Sequence, residues 1–126
     1  MARVALDADV VIAFLDAGDD QHARALAELR PRLAAGDELL VGATVYAETM
    51  VRPLQKGAGA TVDAFLDEAG ITVMPVDRAI ARRAARLRSQ HPSLRLPDAL
   101  SLATAQATDA TLLTLDKKLH RLAKAH

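Results

Sequence analysis

Four carboxylates occupy positions along the chain where they could act together. Asp7 ends the first apolar run, "RVALD", Asp116 ends the last, "TLLTLD", and Asp98 follows a proline at the start of a small-residue segment. Glu48 is the single charge in "LLVGATVYAETMV". A charge in such apolar surroundings needs water, a partner or a metal. Clustered carboxylates repel one another unless a divalent cation such as Mg²⁺, which prefers oxygen ligands, binds them. A bound cation of this kind activates water for attack on a phosphodiester.

The elements that would position these acids form an α/β pattern. Continuously apolar runs, typical of strands buried on both faces, predict strands at 3–7, 38–42, 71–76 and 111–115. Helical spacing fills the gaps between them, which predicts a mostly parallel sheet of four to five strands. Because functional side chains of such sheets lie beyond the carboxyl ends of the strands, Asp7, Asp98 and Asp116 are expected at one edge.

Helical segments can be outlined from their apolar spacing and their end signals, and one of them follows the "GAG" at 57–59. In the first, His22 is followed by leucines at helical spacing, and Gly36 is expected to end the helix. The segment after the second strand is predicted to stop before Pro53. In the arginine-rich segment, apolar residues form one stripe while Arg82 and Arg86 lie outside it.

Composition limits the class of protein. A chain of 126 residues that is 51% hydrophobic fits one domain spanning 1–126. Because there is no cysteine, disulfides and thiolate metal sites are excluded, and any metal must bind oxygen or imidazole. The four histidines lack the spacing of a zinc site. No segment resembles a signal peptide or a membrane span, which predicts a cytoplasmic protein without a membrane partner.

Each acid also has a purely structural interpretation. Asp98 suits a helix cap at the N-cap or first helical position, because Asp accepts hydrogen bonds from free backbone amides. Asp116 could simply open a charged turn before the last helix. Asp9, two residues after Asp7, either adds charge near a metal or caps the next helix, and capping is the favoured alternative.

The motifs "LDADVVIAFL", "TVYAE", "LRLPDALSLATA" and "LLTLDKKL", in this order, resemble the PIN-domain nucleases. The specific resemblance is to VapC-type toxins of type II toxin–antitoxin modules, and it extends from residue 4 to about residue 120. It implies a single three-layer α/β/α domain, a homodimer, a VapB-type antitoxin as partner and RNA as substrate. Together these features predict a metal-dependent endoribonuclease.

The resemblance also assigns roles to individual residues. The family's acidic quartet falls on Asp7, Glu48, Asp98 and Asp116. Asp7 and Asp98 are expected as direct ligands of Mg²⁺ or Mn²⁺, with Glu48 and Asp116 binding directly or through water. The family's hydroxyl falls on Thr114, whereas Asp9 departs from the pattern, since this position commonly carries a hydroxyl or an amide.

The chain contains little aromatic surface on which bases could stack, so RNA contacts are expected to be directed at phosphates. The candidates are Arg95, three residues before Asp98, and Arg82 and Arg86. Solvation of an outer helix face is the simpler alternative for any one of these arginines.

Two other functions compete with the ribonuclease. A receiver-like phospho-acceptor domain would use Asp7, Asp9, Asp77 and Lys117. It leaves Glu48 and Asp98 unused. A catalytically silent PIN-like protein would only bind RNA or a partner. The intact acidic quartet argues against the silent form.

Overall fold

The computed structural model describes residues 2–126, which form four strands and seven helices. The strands are β1 (Arg3–Leu6), β2 (Glu38–Gly42), β3 (Thr72–Met74) and β4 (Thr111–Leu113). The helices are α1 (Ala8–Leu15), α2 (His22–Ala35), α3 (Ala43–Gln55), α4 (Gly59–Glu68), α5 (Arg78–Gln90), α6 (Leu96–Ala107) and α7 (Lys117–Ala125). All four predicted strands are present, and each lies within its predicted range.

The strands form one parallel sheet in the order β3-β2-β1-β4. β1 is central, with Ala5 opposite Leu40 on one side and Leu112 on the other. The expectation of burial on both faces holds for the inner strands but is wrong for β3, where Thr72 and Val73 are exposed. β3 is an edge strand that pairs only with β2, so less of the protein covers it.

Helices cover both faces of the sheet, which confirms the three-layer α/β/α architecture. Side chains of a strand alternate between faces, so Val4 and Leu6 join one hydrophobic cluster with α1 to α4, while Ala5 joins the other. The second cluster packs α5, α6 and α7 through residues that include Ile80, Ala84, Leu87, Leu102 and Leu119. Each helical layer contains helices that directly follow a strand, and their N-terminal ends therefore lie at the carboxyl edge of the sheet. These helices are α1 and α3 in one layer and α5 and α7 in the other.

The ends of the helices follow local chemistry. Gly36 ends α2 in the left-handed conformation, at φ 70°, as predicted. The prediction that a helix stops before Pro53 is wrong, because α3 accommodates this residue in its last turn and continues to Gln55. α5 ends at Gln90, before His91 and Pro92, and its buried stripe leaves Arg82 and Arg86 exposed.

Gly42 joins β2 to α3 at a point of close approach between layers. A β-carbon at this position would lie 3.2 Å from the Oγ1 atom of Thr104, which is buried on α6. Glycine thus lets the N-terminus of α3 pack against α6. α3 and α6 carry Glu48 and Asp98, so this contact helps to set the distance between two of the predicted site residues.

Candidate active site

Asp7 lies at the bottom of the site and is held by hydrogen bonds from three elements. It is 6% exposed, and its Oδ1 atom accepts from the N–H of Ala8 at 3.0 Å, at the start of α1. The same Oδ1 accepts from Ser101 Oγ of α6 at 2.8 Å, and Oδ2 accepts from Thr114 Oγ1 after β4 at 3.0 Å. We call Asp7 with these two hydroxyl residues the floor of the site. Its carboxylate is therefore fixed in direction.

Asp9 lies beside the floor and does not cap α1. Asp7 occupies the N-cap position, so the favoured interpretation of Asp9 as a cap is wrong. The Asp9 Oδ2 atom instead accepts from the N–H of Leu115 at 3.1 Å, and it lies 3.2 Å from Thr114 Oγ1, whose single hydrogen it shares with Asp7. Its Oδ1 atom is buried and has no hydrogen-bond partner among the described residues. Burial and the charge of Asp7 raise the pKa of Asp9 to about 6, against the lowering effect of its hydrogen bonds.

Glu48 on α3 and Asp98 on α6 face the floor from the helices, and Asp116 lies at the start of α7; we call these three the rim. Burial raises the pKa of Glu48, and the charges of Asp7 and Asp98 raise it further. Burial likewise raises the pKa of Asp98, and Asp7 and Asp116 add to the shift. Asp7, Glu48 and Asp98 therefore interact electrostatically, and Asp116 joins them through its effect on Asp98.

Of the two acids that were given a capping interpretation, Asp116 caps its helix and Asp98 does not. Asp98 is the third residue of α6, which begins at Leu96, and no cap hydrogen bond forms at the start of this helix. Capping of α6 by Asp98 is therefore a wrong prediction. Asp116 does cap α7, because its Oδ1 accepts from the N–H groups of Lys118 at 2.8 Å and Leu119 at 3.1 Å. The carboxylate of Asp98 remains available to a ligand, whereas one oxygen of Asp116 is already used.

Ser101 is a site residue that sequence reasoning missed. It lies three residues after Asp98, on the same side of α6, since residues at this spacing are neighbours on a helix surface. The signal was present in the motif, but a serine in a small-residue helix is also compatible with simple packing. Only the packing of α6 against β1 shows that its hydroxyl meets Asp7.

The predicted arginines differ in their relation to the site. The Nε atom of Arg95 lies 3.9 Å from the Oδ2 of Asp98, and the positive charge of Arg95 lowers the pKa values of Asp98 and Glu48. The Arg95 side chain is 73% exposed, so it can reorient toward a bound anion. Arg82 and Arg86 lie on the exposed face of α5 and are not among the charges that shift these pKa values.

The donor set of the site fits a hard divalent cation. Its members are carboxylates, and the buried Oδ1 of Asp9 lacks a partner. Arg95 is the only cation, among residues 2–126, that lowers the pKa values of Glu48 and Asp98. Such an excess of negative charge is relieved by Mg²⁺ or Mn²⁺, which prefer oxygen ligands. Within residues 2–126, however, no group of three or more His, Asp or Glu side chains is placed so that it could hold a metal ion.

A groove adjoins the rim at Glu48, between α1, α3 and α4. It has a volume of about 350 Å³ and is mainly apolar, with Ile12 and Phe65 among its lining residues. Arg52 and Lys56 of the α3 region also line it. Because Glu48 lines the groove and also belongs to the rim, a molecule that fills the groove contacts Glu48.

The receiver-like arrangement does not form. Asp77 follows β3 and caps α5, where its Oδ1 accepts from the N–H of Ile80 at 2.9 Å. β2 lies between β3 and β1, so the strand that precedes Asp77 is separated from that of Asp7 by about 10 Å across the sheet. A phospho-acceptor at Asp77 would therefore lack the neighbouring acids that such a site uses.

Comparison with known proteins places this architecture in a family. The PIN domain matches residues 4–125, nearly the whole chain. The chain belongs to the PIN-domain family. The family match confirms the resemblance read from the sequence motifs.

Solved structures with the same fold come from toxin–antitoxin systems. This PIN domain is 25% identical to a chain of a toxin–antitoxin complex from Klebsiella pneumoniae, with TM-score 0.71, and the match covers 91% of this chain and 88% of that one. It is 19% identical to Mycobacterium tuberculosis VapC20, a sarcin–ricin loop cleaving toxin, with TM-score 0.74 and 94% of each chain covered.

A third structure is VapBC2 from Rickettsia felis, bound to a DNA fragment from its promoter. Here the identity is 18%, the TM-score is 0.72, and the match covers 94% of this chain and 92% of that one. No curated protein sequence matches the chain significantly. None of the helices in residues 2–126 is both long enough and apolar enough to cross a membrane.

Proposed function

We propose that this PIN domain is an Mg²⁺- or Mn²⁺-dependent endoribonuclease and the toxin of a type II toxin–antitoxin module. The observation that carries the proposal is the convergence of Asp7, Glu48 and Asp98 from three elements. They form one negatively charged cluster in which the pKa values of Glu48 and Asp98 are raised. The family membership of the chain and its structural similarity to toxins support the same conclusion.

Asp7 and Asp98 would hold the cation directly, with Glu48 and Asp116 contributing directly or through water. When bound there, the cation would lower the pKa of water and neutralise charge on the phosphate. Ser101 and Thr114 orient the Asp7 carboxylate by donating to its two oxygens. Asp9 adds negative charge beside the floor, and Thr114 links it to Asp7.

The remaining groups bind substrate and move a proton. Glu48 is the carboxylate proposed to accept the proton of the attacking water, because it is partly exposed on α3 and lies beside Asp7 and Asp98, the proposed direct ligands. Arg95, exposed beside Asp98, binds the phosphate of the substrate. The substrate is RNA, as the family resemblance implies.

An antitoxin of the VapB type is the proposed partner. The groove beside Glu48 fits an amphipathic segment, because Ile12 and Phe65 offer apolar contacts while Arg52 and Lys56 attract acids. A segment bound there would cover Glu48 and block the site. The test is co-purification with the product of a short reading frame directly upstream of the gene, compared between wild type and Phe65→Ala. Equal capture by both proteins would contradict this location.

The proposal extends to the assembly of the protein. We infer one domain spanning residues 1–126 that acts as a homodimer in the cytoplasm. Val51 and Leu54, three residues apart on α3, are 54% and 65% exposed and offer an apolar contact for a second copy. Light scattering on wild type and on Val51→Asp/Leu54→Asp would show a dimer that the double variant loses.

The test of the nuclease activity is digestion of total RNA by the purified protein in Mg²⁺ or Mn²⁺. Asp7→Asn and Asp98→Asn should abolish cleavage, as should an excess of chelator. Asp20→Asn, which changes an exposed acid outside the site, should cleave like wild type. Cleavage that persists in both site variants, or in chelator, would contradict the metal mechanism. RNA binding without cleavage by wild type would favour the silent PIN-like protein.

A further inference from the structure

A second groove runs along the outer edge of β4, between α2 and α7. Its volume is about 350 Å³, and the chain from Thr111 to Lys117 forms its base. Asp116 and Thr114 lie at one end of this base, so the groove leads to the carboxylate site. We call it the β4-edge groove. It lies on the opposite side of β1 from β2, the strand that leads into the helix of Glu48.

The lining of the β4-edge groove carries more positive than negative charge. The cations are Arg24, Arg32, Lys117 and Arg121, and the acids are Glu28 and Asp116. Arg32 pairs with Glu28 at 3.4 Å, which partly compensates both charges. No ion pair involves Lys117 or Arg121 in the part of the chain that the structure describes. In a chain with equal numbers of acidic and basic residues, this is a local excess of positive charge.

The base of the groove adds backbone polar groups. β4 pairs only with β1, and the carbonyl of Leu113 accepts from the N–H of Asp7. Because successive residues of a strand point their N–H and C=O groups to opposite sides, Leu112 directs these groups to the groove. The lining contains no Phe, Tyr or Trp. A nucleic-acid strand in this groove would be bound through its phosphates and sugars rather than by base stacking.

We propose that the β4-edge groove binds the backbone of the RNA strand that flanks the cleaved bond. The inference rests on the proposed ribonuclease function and adds a substrate-binding surface to it. Lys117 and Arg121, one turn apart on α7, contact phosphates next to the site, and Arg24 faces them from α2. The surface differs from that predicted from the sequence, which placed phosphate contacts on α5 and at Arg95.

The experiment measures binding of a short single-stranded RNA by fluorescence anisotropy, in chelator, over a series of salt concentrations. Lys117→Ala/Arg121→Ala is compared with Arg30→Ala/Lys118→Ala. Each double variant removes two exposed positive charges, all of them on α2 or α7. Lys117 and Arg121 line the groove, whereas Arg30 and Lys118 do not. Circular dichroism establishes that both are folded.

The groove variant should bind roughly tenfold more weakly at low salt, with the slope of log K against log salt reduced by about 1.4, as expected for two lost phosphate contacts to a single strand. The control variant should keep the wild-type affinity within about twofold, since non-contacting surface charges act only through screened fields. Equal losses of RNA affinity in the two double variants would overturn the proposal that RNA binds in the β4-edge groove. They would not contradict the proposed nuclease activity. Failure of the wild-type protein both to bind and to cut RNA would overturn both.

Discussion

The floor and the rim of the site contain the same chemical groups but differ in how the protein holds them. Asp7 on the floor is buried, and its oxygens accept from two hydroxyls and a backbone amide. Glu48 and Asp98 on the rim are partly exposed, and neither accepts a hydrogen bond from a described side chain or cap. The floor is preorganised by the fold, whereas burial and neighbouring carboxylates raise the pKa values of Glu48 and Asp98 on the rim.

The largest effect is expected at the rim. Asp98→Asn should reduce metal-dependent RNA cleavage more than about a hundredfold, beyond the loss typical of groups that only support a ligand. Thermal unfolding should give an unchanged or higher Tm, because the mutation removes a carboxylate whose raised pKa indicates a charge unfavourable to the folded state. Asp20→Asn is the control. A folded Asp98→Asn protein with full activity would remove Asp98 from the site.

A smaller loss is expected on the floor. Ser101→Ala removes one hydrogen bond to Asp7 and should lower activity by about 10- to 100-fold at limiting Mg²⁺. Stability should fall by about 1 kcal/mol, as for an ordinary hydrogen bond. The decisive measurement is the Mg²⁺ concentration that gives half-maximal activity, which should rise in this variant and stay constant in Ser89→Ala, an exposed serine of α5. An unaltered Mg²⁺ dependence would mean that Ser101 only packs.

Asp9 provides a pH test of the excess charge. Its pKa of about 6 lies above the ordinary value of 3.8. At pH values between these two, the folded protein keeps the Asp9 proton, whereas the unfolded chain has lost it. Stability of the metal-free protein therefore falls as pH rises through this window and stays low above it. The stability of Asp9→Asn relative to wild type should increase by about 1 to 2 kcal/mol from pH 4 to pH 7, after a discount for partial solvent exposure.

Urea denaturation at both pH values measures this difference. The comparison uses the change with pH, because the altered hydrogen bonding of asparagine adds a constant offset. Saturating Mg²⁺ should reduce the difference, since a bound cation compensates the same charge. A pH-independent difference would show that Asp9 titrates normally.

The smallest effect is expected for the cap of α7. Asp116→Ala removes acceptors for two backbone N–H groups and should destabilise the protein by about 1 kcal/mol, whereas Asp116→Asn should retain most of the stability. Chemical denaturation of the three proteins would measure this order. If Asp116→Asn is as unstable as Asp116→Ala, the charge of Asp116 and not its cap matters for the fold.

Much of the fold could be predicted from the sequence because its signals are local. The apolar runs identified all four strands, and Gly36 marked the end of α2. The exposure of β3 could not be read from its own residues, because it depends on the position of the strand at the sheet edge. The prediction that α3 stops before Pro53 was wrong, because a proline in the last turn of a helix leaves the preceding turns intact.

The site was predicted less completely, because its details depend on contacts between distant elements. The four acids were expected at one edge from topology and resemblance, and the electrostatic coupling of Glu48 and Asp98 to Asp7 agrees with this. The capping interpretation of Asp98, given beside its assignment as a metal ligand, was wrong because α6 begins at Leu96 and Asp98 is its third residue. The hydrogen bonds made by Ser101 and Asp9 join residues about ninety or more positions apart.

Gly42 influences the distance between the helices that carry Glu48 and Asp98, although it is not itself a site residue. Because a β-carbon there would lie 3.2 Å from Thr104 Oγ1, an alanine would require Thr104 to give way by a few tenths of an ångström, by a movement of its side chain or by a shift of α6 away from α3. Such a shift would widen the gap between the helices of Glu48 and Asp98. Mg²⁺ demands short, nearly ideal coordination, whereas larger cations tolerate longer distances. If a cation binds between these helices as proposed, a single methyl group at Gly42 would thus change which metal the site prefers.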